Sequence, residues 1–202
     1  MVIRDVVVVG ASAGGVEALS ALFCDIPSST HIAYFVTLHV SPGRQSCLPS
    51  ILMRTAGIPV EHPRDGQKIG PGRIYVAPPD FHLLVGDGIV HLGHGPRERH
   101  VRPAIDPLFC SAAQVYGQRV IGVLLSGNLD DGVEGLKEIK NYGGLAVVQQ
   151  DARFRFMPQN ALARIEIDHC LPVAQIRDLI RPLPDLPKLP MAKELKSCRT
   201  PH

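Results

Sequence analysis

The sequence predicts an α/β protein with a doubly wound, mostly parallel sheet flanked by helices, and with a β-hairpin inserted into it. Residues 6–9 are four consecutive valines, and residues 120–125 (VIGVLL) are a second apolar run. Such runs suit strands that are buried on both faces of a parallel sheet. After each run, apolar residues recur at helical spacing, at positions 16, 19 and 23 and again at positions 133, 136 and 139. Repeated strand–helix units are typical of parallel sheets connected by helices.

The other elements follow from the same signals. Strands are predicted at 31–38, 58–60, 145–149 and 169–171, and helices at 16–24, 47–55, 106–116, from Pro158 onward, and 173–180. Asp106 is expected to cap the helix 106–116, with Pro107 at its first position. We expect one domain over residues 1–181, followed by a disordered Pro- and Lys-rich tail over residues 182–202.

The stretch from residue 66 to residue 95 has a different residue pattern, in which turn signals separate short β-rich runs. Residues 73–77 are one such run. Residues 82–85 and 89–92 flank Gly86-Asp87-Gly88, which predicts a hairpin. We interpret the whole stretch as a β insertion at one edge of the sheet.

Composition excludes several classes of function. The net charge of +2 is too small to attract nucleic acid or an anionic membrane to the protein as a whole. No apolar run approaches the roughly 20 residues of a membrane span, and the N-terminus lacks the layout of a signal peptide. The five cysteines are scattered and form no C-x-x-C pair, which favours reduced thiols in a cytoplasm over disulfides or structural zinc.

Ser12 lies in the turn after the first strand, and three interpretations of that turn are open. The stretch from Gly10 to Gly15 partly matches G-x-G-x-x-G, but Ser12 takes the middle glycine position, where its side chain would crowd a pyrophosphate. The same residues, GASAG, match G-x-S-x-G, in which glycines permit a sharp turn that exposes a nucleophilic serine. Alternatively, Ser12 simply caps the following helix.

The ends of the other strands favour the nucleophile. His39 follows the second strand, and Asp131 lies in the segment after the strand 120–125. Carboxyl ends of parallel strands share one edge of a sheet, so a nucleophile, a base and an acid would meet there, as a Ser-His-Asp triad requires. Taken singly, His39 could be an ordinary histidine after a strand, and Asp131 with Glu134 could mark a helix start.

Histidines and arginines in and after the predicted hairpin carry weaker signals. The histidines lack an acidic ligand cluster, so we interpret them as surface residues and predict no metal site. The arginines form a small basic patch that could meet acidic flanks of a protein substrate. These residues are His91, His94, His100, Arg97, Arg99 and Arg102.

Several separated motifs resemble one family in the family's own order. From residue 6 to about residue 180, the chain is similar to the catalytic domain of the chemotaxis protein-glutamate methylesterases (CheB type). The matching pieces are Gly10-Ala11-Ser12 with Gly14-Gly15, His39 with Pro42-Gly43, Tyr75-Val76-Ala77-Pro78 with Asp80 and His82, Arg102-Pro103 with Asp106 and Leu108-Phe109, Ser126-Gly127 with Asp131-Gly132, and Met157-Pro158.

The resemblance implies a Ser12–His39–Asp131 triad that hydrolyses γ-glutamyl methyl esters on the cytoplasmic domain of methylated chemoreceptors. Glutamine deamidation on the same receptors is implied as a second activity, and no cofactor is required. Ala13, Asn128 and Leu129 would lie at the oxyanion site or pocket, and Arg102 and Met157 are assigned to substrate binding. Ala13 replaces the family's common Thr, and Asn128-Leu129 replaces Met-Gly. A loop needing positive φ at Leu129 would be strained.

Two further classes of function stay open, namely a serine esterase or amidase with another substrate and a non-catalytic regulatory module of the same fold. Members of this family usually carry an N-terminal receiver domain that covers the active site. Because the first strand starts at about residue 6, we expect a catalytic domain without a receiver domain and a permanently accessible site.

Overall fold

In the computed structural model, residues 3–40 and 46–181 are described. Within them, seven parallel strands form one sheet, and two further strands form a separate antiparallel pair. The predicted fold class is confirmed. The Pro42-Gly43 motif and the tail 182–202 lie outside the described residues. The strands are β1 (Val6–Ala11), β2 (Ala33–Leu38), β3 (Val60–Glu61), β4 (Arg73–Val76), β5 (His82–Val85), β6 (Val90–Gly93), β7 (Val120–Leu124), β8 (Leu145–Gln149) and β9 (His169–Leu171). Their order in the large sheet is β3-β4-β2-β1-β7-β8-β9, and β5 pairs with β6.

Six helices in the described residues cover the two faces of the sheet. One face packs against the first, second and last helices, and the other against the third, fourth and fifth. The helices are α1 (Gly15–Leu22), α2 (Leu48–Met53), α3 (Ile105–Tyr116), α4 (Val133–Asn141), α5 (Phe156–Arg164) and α6 (Val173–Leu179).

The four valines of β1 explain why this strand lies at the centre. Val7 and Val9 pack into the core on the α1 face, Val6 and Val8 into the core on the α3 face, and all four are buried. In the sheet, β2 lies on one side of β1 and β7 lies on the other. Since α1 and α4 cover opposite faces, the carboxyl ends of β1 and β7 border a crevice of the kind in which α/β proteins bind ligands.

The interpretation of residues 73–77 as part of an edge insertion is wrong. β4 lies inside the sheet, parallel to β2, with Ala33 opposite Arg73 and Val36 opposite Val76. Ile74, Tyr75 and Val76 are all buried, as expected for a strand covered on both faces. Parallel neighbours are usually joined through a helix. No helix lies between β3 and β4, so the usual sequence signal is missing.

The hairpin itself is confirmed, and it packs on α3. The Val85 N–H donates to the Ser111 hydroxyl (3.0 Å), and the Gly88 N–H donates to the Tyr116 hydroxyl (3.1 Å). The inserted hairpin therefore lies against a helix whose N-terminus, as described below, contacts the candidate site.

Candidate active site

Strand register brings Ser12 and His39 together. β1 and β2 pair in parallel up to Ala11 opposite Leu38, so Ser12 and His39 are the next residues of neighbouring strands. The His39 N–H donates to the Ala11 carbonyl (3.1 Å), and the Ser12 N–H donates to the Ser126 carbonyl (2.9 Å). The second of these hydrogen bonds holds the segment after β7 at the same edge of the sheet.

The Ser12 hydroxyl does not cap the helix that follows the turn. Gly14 precedes α1 with a φ of 70°, and no side chain caps that helix. The Ser12 carbonyl accepts a hydrogen bond from the Gly15 N–H (2.9 Å). Gly14 adopts a left-handed conformation that favours glycine. At Gly10, a Cβ would lie 2.4 Å from the Ile105 side chain, so glycine lets α3 approach β1.

Ser12, His39 and Asp131 form one chain of hydrogen bonds. His39 Nδ1 lies 3.1 Å from Ser12 Oγ, and His39 Nε2 lies 2.7 Å from Asp131 Oδ2. The His39 side chain is 7% exposed and that of Asp131 is fully buried. With the proton on Nε2 donated to the carboxylate, Nδ1 presents a lone pair to the serine hydroxyl. This arrangement can deprotonate Ser12 as it attacks a carbonyl carbon.

Asp131 also satisfies the N-terminus of α3. Its carboxylate accepts hydrogen bonds from the Ile105 N–H (2.6 Å) and the Asp106 N–H (3.1 Å). Burial by itself would raise the pKa of the Asp131 carboxyl. The hydrogen bonds from His39 and Ile105 outweigh that effect and lower the pKa below its usual value. The carboxylate therefore stays ionised beside the imidazole.

The predicted capping role of Asp106 is wrong, because Asp106 serves a different helix. α3 begins at Ile105, and Asp106 lies inside its first turn. Asp106 Oδ1 accepts hydrogen bonds from the Gly132 N–H (2.9 Å) and the Gly135 N–H (2.7 Å), at the start of α4. The two aspartates thus cap each other's helices. Burial and the charge of Asp131 raise the pKa of Asp106 to about 7.

Backbone donors are available beside the serine. In the described part of the chain, the N–H groups of Ala13, Asn128 and Leu129 donate to no acceptor, whereas the Gly127 N–H donates to the Phe154 carbonyl (2.9 Å). Leu129 is absent from the described residues that have positive φ. Its replacement of glycine therefore imposes no left-handed strain. These free N–H groups could stabilise an oxyanion, and the assignment stays a prediction.

Arg102 lies at the base of the hairpin. Its Nη2 lies 2.7 Å from Asp80 Oδ1, and its Nη1 donates to the carbonyl of Gly95 (2.6 Å). Hydrogen bonds from Arg102 hold the pKa of Asp80 below its usual value. Arg97 lies 3.7 Å from the same carboxylate, so one carboxylate offsets only part of the positive charge of these two arginines. The assignment of Arg102 to substrate binding stays a prediction.

Met157 supports the segment after β7. It is fully buried, and its N–H donates to the Gly127 carbonyl (3.0 Å). A Cβ on Gly127 would lie only 2.0 Å from the Met157 sulfur. The side chain therefore packs directly against Gly127, which itself lies close to Ser12. Its assignment to substrate binding also stays a prediction.

Sequence reasoning named Ser126 only as part of a family motif and did not foresee that it joins these segments. The Ser126 hydroxyl donates to the Ala13 carbonyl (2.8 Å) and accepts from the Phe154 N–H (3.0 Å). The Ser126 N–H donates to the Gln149 side-chain oxygen (3.0 Å). Three connections thus converge on one serine. The position of Ser126 directly after a buried strand was the available signal.

Other classes of site receive no support from the described residues. They contain no group of three or more His, Cys, Asp or Glu side chains that could hold a metal ion. Among the same residues, no helix is long and apolar enough to cross a membrane. His94 lies 3.9 Å from Asp80 and His91 lies 3.6 Å from Asp65, in exposed pairs.

Comparisons with known proteins match most of this chain. A relative from Leptospira interrogans is 35% identical over 87% of this chain and 92% of its own length. A protein-glutamate methylesterase/protein-glutamine glutaminase from Anaeromyxobacter dehalogenans is 36% identical, over 89% of this chain and 53% of that protein. The crystal structure of the Thermotoga maritima CheB methylesterase catalytic domain superposes with a TM-score of 0.82 and 30% identity, covering 89% of this chain and all of that chain.

The family model described as CheB methylesterase matches residues 7–180. Those residues include the hydrogen-bonded Ser12, His39 and Asp131 side chains and the segments that position them. The chain belongs to the CheB methylesterase family.

Proposed function

We propose that this protein hydrolyses γ-glutamyl methyl esters on the cytoplasmic domains of methylated chemoreceptors, releasing methanol. The observation that carries the proposal is the continuous hydrogen-bonded chain from Ser12 through His39 to Asp131. It lies at the crevice beside β1, in a member of the CheB methylesterase family. The protein would act where those receptor domains lie, in the cytoplasm.

In the first half of the reaction, Ser12 Oγ attacks the ester carbonyl carbon while its proton moves to His39 Nδ1. The buried Asp131 carboxylate stabilises the imidazolium and holds the ring orientation. Free N–H groups at Ala13 and Asn128 would stabilise the negative oxygen of the tetrahedral intermediate. His39 then protonates the departing methoxide, and methanol leaves an acyl-enzyme.

In the second half, His39 deprotonates a water molecule that attacks the acyl carbon. Collapse of the second intermediate returns the proton to Ser12 and releases a glutamate side chain. The same acyl-enzyme forms from a glutamine side chain if ammonia leaves in place of methanol. This shared intermediate, together with the glutaminase in the name of the Anaeromyxobacter relative, favours deamidation as a second activity.

A methanol-release assay separates the proposed function from both rival functions. Purified protein is incubated with receptor carrying labelled methyl groups, and volatile methanol is counted. We expect release with wild-type protein and none with Ser12→Ala. Ser20→Ala is the matched control, because its hydroxyl donates to the Val16 carbonyl within α1 and has no contact with the triad.

A fluorophosphonate label completes the design. Labelling of wild-type protein but not of Ser12→Ala, without methanol from receptor, would indicate an esterase for another substrate. Neither labelling nor methanol release would indicate a non-catalytic module and would refute the proposal.

A further inference from the structure

Residues Arg153, Phe154, Arg155 and Phe156, here called the Arg-Phe segment, are fastened to the catalytic turn. The Phe154 N–H donates to the Ser126 hydroxyl (3.0 Å), and the Phe154 carbonyl accepts from the Gly127 N–H (2.9 Å). A Cβ on Gly14 would lie 3.0 Å from the Phe154 ring. The backbone of the segment therefore has a fixed position beside Ser12.

The segment presents apolar surface at the rim of the site. Phe156 is 63% exposed, and Leu129, two residues after Gly127, is 42% exposed. The two residues belong to segments that are joined beside Ser12, because the Met157 N–H donates to the Gly127 carbonyl (3.0 Å). Exposed apolar side chains at this place suit contact with a partner. Phe154 itself is partly buried.

The segment also carries positive charge that no described carboxylate offsets. Arg153 lies over the Phe154 ring, 5.7 Å from its centroid. Neither Arg153 nor Arg155 forms an ion pair with any described residue, although both are exposed. In contrast, Arg99 and Arg164 both pair with Asp130.

We propose that the Arg-Phe segment and Leu129 form the docking surface for the receptor segment that carries the ester. This inference rests on the proposed function. Each hydrolysed ester leaves a glutamate carboxylate on the substrate, so a partly demethylated segment is acidic around its remaining esters. Arg153 and Arg155 would pair with those carboxylates, while Phe156 and Leu129 contact the apolar side chains between them.

The test separates docking from chemistry. In Arg153→Glu/Arg155→Glu, we expect kcat/KM for methanol release from receptor to fall about tenfold through KM, because attraction becomes repulsion at two positions. The kcat/KM for p-nitrophenyl acetate, a small neutral ester, should change less than about twofold, since it reaches only the Ser12 crevice. Added salt should slow the wild-type reaction on receptor and should not slow that of the variant.

Arg54→Glu/Arg64→Glu is the matched control. It changes the net charge equally at exposed arginines outside this rim, and both activities should stay at the wild-type level. Arg153→Gln/Arg155→Gln provides a milder test should the double reversal fail to fold, with an intermediate rise in KM expected.

Two results would overturn the inference while leaving the proposed function intact. One is an unchanged KM for receptor in the folded variants, and the other is an equal loss of both ester activities. If wild-type protein cleaves p-nitrophenyl acetate but releases no methanol from receptor, the proposed function fails, and the docking inference fails with it.

Discussion

Replacing Asp131 with Asn tests whether one carboxylate both orients His39 and caps α3. The carboxylate accepts three hydrogen bonds, with His39 Nε2 and the Ile105 N–H on Oδ2 and the Asp106 N–H on Oδ1. An amide offers one oxygen and one NH2 group. If its oxygen takes the place of Oδ2, the NH2 group faces the Asp106 N–H. In the opposite orientation, the NH2 group faces two donors, His39 Nε2–H and the Ile105 N–H.

The first orientation leaves one buried N–H without an acceptor, which costs about 1–3 kcal/mol. For a domain of this size, that loss lowers Tm by roughly 2–12 °C. Activity should fall much further, by about 10⁴-fold in kcat, because the neutral amide no longer stabilises the imidazolium or selects its tautomer. We therefore expect a folded but nearly inactive protein that is moderately less stable.

Asp106→Asn is the matched control. Its amide oxygen can accept from the Gly132 and Gly135 N–H groups, as Asp106 Oδ1 does, and it has no hydrogen bond to His39. Methyl-ester hydrolysis and thermal unfolding, followed by circular dichroism, are measured for both variants. Wild-type turnover in Asp131→Asn with a lower Tm would show that Asp131 is only a cap. Lost turnover with an unchanged Tm would refute its capping role.

Three further predictions follow from the same geometry. Ser12→Ala should abolish turnover and leave Tm nearly unchanged, because the Ser12 hydroxyl caps no helix. Residual turnover would refute the assignment of Ser12 as the nucleophile. His39→Ala should be about as inactive, and the double variant little worse, because triad members act as a unit; additive losses in single-turnover assays would contradict this. Urea unfolding should show that Asp106→Asn gains stability relative to wild type as pH rises from about 4 to about 7. In that window the folded protein binds the proton of Asp106 more tightly than the unfolded chain, so wild-type stability falls. An unchanged difference between pH 4 and pH 7 would show that Asp106 does not titrate there. The lowered pKa of Asp131 has the opposite sign, since its contribution is lost only as pH falls below about 4.

Local patterns in the sequence were enough to predict most of the fold. Four valines, a glycine-flanked turn and apolar residues at helical spacing give β1 and α1, and Gly86-Asp87-Gly88 gives the hairpin. Ser12 and His39 could be nominated from the sequence because each directly follows a strand of one parallel sheet. Their roles remain predictions, as does that of Asp131.

Pairing over long sequence distances was decided only by the tertiary structure. β4 enters the sheet without a helical connection, so nothing local distinguishes it from a strand of the insertion. In the sequence, Asp106 stands at the start of the predicted helix 106–116 and Asp131 stands before the next helix, so each looks like a cap for its own helix. Because α3 packs against α4, Asp131 instead accepts a hydrogen bond from the start of α3, and Asp106 accepts one from the start of α4.

The tertiary structure also decides which arginines have a carboxylate partner. The sequence shows Arg97, Arg99 and Arg102 as a basic patch, yet folding places Asp80 and Asp130 beside them. Arg153 and Arg155 keep uncompensated charge because no carboxylate of the described residues is folded against them. Strand and helix formation depend on neighbours within a few residues, so the sequence by itself determines them. The partner of a charged side chain depends on which distant segments the core brings into contact, and that only the tertiary structure decides.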